Sequence, residues 1–133
     1  MLLARVVLGL IFFQAGLWKV FALTPAEHAR KWFLPFADTF LPVWSLWAMG
    51  VTIPFVELFG GMLVLVGLYT TAGLAMLGAV LCIVTFGHLL HEPLYAFHEH
   101  VIPRLALTVL VLALPRAWDR WSVDAWRSRR APG

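Results

Sequence analysis

The chain has 133 residues, 62% of them hydrophobic and 13% charged, with a mean hydropathy of +0.86 and a formal net charge of +3. A soluble domain is about 45–50% apolar and about 25% charged, and a fold this small leaves too much surface in water to hide the excess hydrocarbon. The numbers exclude disorder, collagen-like repeats and a nucleic-acid-binding domain; they point to a bilayer as the solvent, with the basic excess at its surface.

A spanning helix takes about 20 mostly apolar residues, so the chain has room for about four. The first apolar run, with a span predicted over residues 2–23, is interrupted only by Arg5, Gln14 and Lys19. It lacks a small-residue cleavage site and so reads as a span, not a cleavable signal. The connection over 24–45 opens with Thr24-Pro25-Ala26-Glu27. An N-cap followed by proline at the first helical position predicts a short amphipathic helix, packed on the bundle or lying in the interface. Pro35 and Pro42 then break it. The second span is predicted over 46–69 and holds Pro54 and Glu57. Tyr69-Thr70-Thr71 reads as a minimal turn into a third span over 72–90, so these two form an antiparallel hairpin. Residues 91–100 are a polar connection, a short fourth span covers 101–117, and 118–133 form a basic, Trp-containing amphipathic tail. With no internal repeat and no second-domain boundary, the fold class is all-α. The expectation is one domain, an integral membrane antiparallel four-helix transmembrane bundle with an interfacial helix in the first outer connection.

Lys and Arg set the expected orientation. The tail carries Arg116, Arg120, Arg127, Arg129 and Arg130, with Arg5 near the other terminus; the opposite side has Arg30 and Lys31, flanked by Lys19 and Arg104. The excess places both termini in the cytoplasm. Trp18, Trp32, Trp44, Trp47 and Tyr95 then form the outer aromatic belt, and Trp118, Trp121 and Trp126 the inner one.

Ionisable groups inside spans are the strongest functional signal, because each costs roughly 2.5–3.5 kcal/mol at mid-helix and normally faces the interior with a partner. Glu57 is the deepest. Lys19, His88 and Arg104 lie near the outer ends of their spans, so all four spans bring a polar group toward one half of the membrane. Their convergence would make a polar pocket; the plainer reading is a salt-bridged core, with Lys19 and Arg104 snorkelling. Arg5 is read as snorkelling to the cytoplasmic surface. Pro54 frees the carbonyl of Gly50, which needs a neighbour, a water or a ligand in its place.

His88 and His91 share a helical face, and His98 and His100 bracket Glu99, close to Glu92. His88, His91, His98 and His100 could therefore hold zinc or copper, although no zinc-motif spacing is met. Gly9, Gly16, Gly60, Gly61, Gly67, Gly73 and Gly78 are read as surfaces for close helix approach. Cys82 is read as an inert buried thiol without a disulfide partner.

The first-span residues Arg5, Leu8-Gly9, Phe12-Phe13, Gly16 and Lys19 resemble the DoxX family of small four-helix membrane proteins. So do Glu57-Leu58-Phe59-Gly60-Gly61 with the leucine run after it, and Arg120-Trp121-Ser122-Val123-Asp124. The first connection is longer, and the third richer in histidine, than the minimal family pattern. The family is named for a subunit of a thiosulfate:quinone oxidoreductase, and other members accompany redox, sulfur-stress or copper-related gene products. The resemblance implies a bacterial inner-membrane protein and a quinone-linked redox subunit. In that reading Lys19, Glu57, His88 and Arg104 bind the quinone headgroup, Glu57 and His88 act as the catalytic pair, and Glu57 takes up or delivers protons. The chain has no electron carrier of its own, so a redox partner protein is implied. Alternatives are a non-enzymatic factor for metal (copper) handling or membrane-protein assembly, and transport of a small anion by a homo-oligomer.

Overall fold

A computed structural model describes residues 1–91, 99 and 101–130, and every regular element among them is helical. Helix α1 (Leu2–Leu17) runs into a π-helical turn over Trp18–Ala22. Next come α2 (Pro25–Trp32), a 3-10 turn (Leu34–Asp38), α3 (Val43–Val66) and α4 (Thr70–His91). The short α5 (Ile102–Ala113), a 3-10 turn (Arg116–Trp118) and α6 (Val123–Arg130) complete the described chain.

Three helical stretches are long and apolar enough to cross a membrane: Leu2–Ala22, Val43–Val66 and Thr70–Leu90. The fourth predicted span is shorter than expected. It ends at Ala113 because Leu114, the residue before Pro115, is forced into an extended conformation (ψ 137°). Twelve residues rise only about 18 Å, against a hydrocarbon core of about 30 Å.

The α3–α4 turn also differs from the predicted one. Gly67 adopts φ +73°, a left-handed conformation that glycine reaches without steric cost. Its N–H and that of Leu68 return to the carbonyls of Val64 and Leu63, a Schellman stop that ends α3 three residues early. Thr70 therefore begins α4 and is not part of the turn. Thr24 caps α2 as its sequence predicts, accepting from the Glu27 N–H at 3.4 Å, with Pro25 in the first turn.

Helices α1 and α3 pack antiparallel at nearly backbone contact. A Cβ added to Gly9 would meet the Leu65 backbone, one on Gly16 the Leu58 backbone, and one on Gly61 the Phe13 backbone. A step of seven residues along α1 thus matches a step of seven back along α3, and that register brings Lys19 level with Glu57. Gly60 and Gly73 make the equivalent approach between α3 and α4. Gly78 does not: its Cβ position is open space, and the packing role read for it is corrected. The core runs through Leu8 and Phe12 of α1, Val64 of α3, Leu74, Leu77 and Leu81 of α4, and Val111 of α5. Leu3, Phe21, Phe59 and Val109 face outward, an apolar exterior suited to lipid rather than water.

Candidate functional site

At the end of α3 where the chain enters it, the helices part around a cavity of about 790 Å³. Its lining contains Lys19, Glu57, His88 and Arg104, the four ionisable residues singled out from sequence, one each from α1's π turn, α3, α4 and α5. The remaining wall is apolar and aromatic, including Trp18, Trp32, Phe33, Leu46 and Leu81. A largely apolar hollow with a few convergent polar groups is the general form of a small-molecule site.

The polar groups are held in different ways. Glu57 is 2% exposed, and its Oε2 accepts from the Lys19 Nζ at 2.5 Å. The Lys19 side chain remains 20% exposed, so the ammonium pairs inward while part of the side chain stays open. The π turn that carries Lys19 closes with the Leu23 N–H on the Trp18 carbonyl; wide turns of this kind are frequent at functional sites. The Arg104 guanidinium lies 5.7 Å from the centre of the Phe12 ring, within cation–π range.

Sequence reasoning missed one member of the site. His28, on α2, is 4% exposed and lines the same cavity. Its Nδ1 lies 2.6 Å from the carbonyl oxygen of Gly50. That is the acceptor released by Pro54, and a carbonyl only accepts, so Nδ1 carries the proton. Burial holds the imidazole below its ordinary value of 6.5; the Gly50 carbonyl pulls upward and the Lys19 ammonium adds to the lowering. Close packing of α2 on α3 makes the contact possible: a Cβ on Gly50 would overlap Ala29. The signal was present in the sequence as an orphaned carbonyl that required a donor.

The opposite end is built differently. Arg5 is 1% exposed, and the snorkelling read for it is corrected. Its Nε donates to Asp119 Oδ1 at 3.2 Å, Nη1 to the carbonyls of Val64 and Leu65 at 2.8 and 2.7 Å, and Nη2 to that of Trp121 at 3.1 Å. It therefore adds a charged donor to the Val64 carbonyl, which also takes the Gly67 N–H, and satisfies that of Leu65 at the negative end of α3. Asp124 Oδ1 accepts from the Tyr69 N–H, and its Oδ2 from the N–H and hydroxyl of Thr70, capping α4 across 54 residues of chain. Burial pushes the Asp124 carboxyl up, but the bonds from Thr70 and Tyr69 outweigh it and hold the group below its ordinary value. The segment read as a basic amphipathic tail is folded as a collar across the ends of α1, α3 and α4.

Cys82 is exposed and borders the cavity, not buried as read. The metal-ligand reading rests largely on positions outside the described residues: His98, His100 and the side chain of His91. Among the described residues no group of three or more His, Cys, Asp or Glu side chains is placed to hold a metal ion.

The DoxX family profile matches residues 1–92. No curated protein and no solved structure matches the chain. The matched region includes Arg5, Lys19, His28, Glu57 and His88, and excludes Arg104 and the collar residues Asp119 and Asp124. The chain belongs to the DoxX family and is a membrane protein.

Proposed function

We propose that this DoxX-family protein is a quinone-associated subunit of a membrane oxidoreductase system, with the 790 Å³ cavity as its headgroup site. One observation carries the reading: Lys19, Glu57, His88 and Arg104 line a single cavity whose other walls are apolar. A quinone headgroup has carbonyl acceptors on a flat apolar ring attached to a lipid tail, and enters a site from the bilayer. Lys19 and Arg104 supply donors for a carbonyl, the aromatic walls supply the ring contact, and Glu57, beside Lys19, is the group for proton uptake or delivery. His88 stands with Glu57 in the catalytic role. Electrons would come from a redox partner protein, because the family resemblance brings no carrier with it.

In this reading the three long helices and α5 form a four-helix bundle as a single domain in a bacterial inner membrane. The basic collar then lies on the cytoplasmic side, and α2 lies at the opposite interface. The test is titration of the purified protein in nanodiscs with a short-chain benzoquinone, followed by quenching of Trp18 and Trp32, both in the cavity wall. Saturable binding that weakens in Glu57→Gln is expected. No saturable binding, or binding indifferent to Glu57 and Lys19 replacements, overturns the assignment.

A further inference from the structure

The cavity presents one hydrogen-bonding group whose direction is set by the backbone. Pro54 has no N–H and leaves the Gly50 carbonyl without its helical donor. His28 fills that role through Nδ1 at 2.6 Å, so one of its two ring nitrogens is committed as a donor to the protein. In a neutral imidazole the other nitrogen is then an acceptor. Burial favours that neutral form, and the nearby Lys19 ammonium acts in the same sense. Among the described residues no side chain or backbone group is bonded to Nε2, and the ring is part of the cavity wall. The Glu57 carboxylate is a second acceptor in the wall, with its Oε2 engaged by Lys19. His28 is therefore a neutral acceptor in the wall, set in direction by its bond to the backbone.

We infer that His28 is a specificity-determining residue: its Nε2 accepts a hydrogen bond from a ligand hydroxyl, so the cavity favours a dihydroxy aromatic headgroup over the dicarbonyl form of the same ring. This rests on the quinone reading and deepens it, naming the reduced quinol as the preferred occupant. A dicarbonyl ring offers only acceptors and would set an oxygen lone pair against that of Nε2. A hydroxyl in the same place donates.

The experiment uses the full chain in nanodiscs under anaerobic conditions, with three probes of similar shape: a short-chain benzoquinone, its hydroquinone, and the dimethyl ether of that hydroquinone. One neutral hydrogen bond corresponds to roughly three- to tenfold in affinity. The hydroquinone is expected to bind tighter than the other two by that factor. His28→Asn keeps a side-chain N–H for the Gly50 carbonyl but has no group at the Nε2 position, and should lower the hydroquinone-to-quinone ratio. The ether comparison is made on the unaltered protein, so it holds even if the variant fails to fold. Equal binding of hydroquinone and ether, or an unchanged ratio in a folded His28→Asn protein, overturns the inference and leaves the quinone reading standing. Saturable binding of none of the three overturns both.

Discussion

The two ends of the helices use charge in opposite ways. At the collar end, Arg5 makes four hydrogen bonds, all to protein, and is 1% exposed. Asp119 and Asp124 are likewise occupied, one by a guanidinium and the other by the start of α4. At the cavity end, Lys19 spends one bond on Glu57 and stays partly open, Arg104 rests on an aromatic face, and His28 commits one nitrogen of two. Buried charge alone does not mark a site. What separates Arg5, Asp119 and Asp124 from Lys19, Arg104 and His28 is how much bonding capacity remains once the protein's own partners are counted.

Substitutions should split along the same line. The largest effect is expected for Arg5→Leu, which strands the Asp119 carboxylate and takes a donor from three carbonyls. Removing one partner of a buried pair costs about 3–5 kcal/mol, to be read as a loss of thermal stability in detergent micelles. An Arg5→Leu, Asp119→Leu double variant should recover part of that loss; no recovery would place the cost in the carbonyls alone. Asp124→Ala comes next. It removes a helix cap, worth about 0.5–2 kcal/mol, and should speed amide exchange at Tyr69 and Thr70 more than elsewhere. Glu57→Gln should cost less, about 1 kcal/mol or below, since the partly open Lys19 can turn its ammonium toward water. If Glu57→Gln destabilises as much as Arg5→Leu, the distinction between the ends fails.

A pH dependence is expected at His28. Its folded value lies below 6.5, so the folded state binds fewer protons than the unfolded chain as pH falls through that range. The stability it contributes is complete above about 6.5 and is lost progressively below it, with a slope of at most about 1.4 kcal/mol per pH unit. A melting temperature that falls between pH 7 and 5 in the native protein, and falls less in His28→Asn, is the expected pattern. Identical slopes would remove His28 as the source.

Three of the spans, and the clustering of Lys19, Glu57, His88 and Arg104 near one end, were legible because hydrocarbon runs and isolated charges are local signals. The misreadings concern groups whose partners lie far along the chain. Arg5 sits four residues from Met1, where a snorkelling side chain is the ordinary expectation, and its ionic partner is 114 positions away. His28 falls in a connection and looks like a solvated histidine until α2 is folded onto Gly50. Gly60, Gly73 and Gly78 look equivalent as small residues in apolar helices, yet only the first two face another helix. Periodicity locates an element; it does not say which face meets which neighbour.

The 114-residue separation of Arg5 and Asp119 has a consequence for biosynthesis. At roughly 5–20 residues per second, the ribosome leaves Arg5 without its carboxylate for several seconds to some twenty. The α3 carbonyls are made earlier, so they are the first protein groups able to receive the guanidinium. The carboxylate arrives after every long apolar helix has been synthesised. Closure of this ion pair thus reports that the helices before it have been made and brought together, and an assembly stalled earlier would display an unneutralised arginine to whatever monitors quality in the membrane.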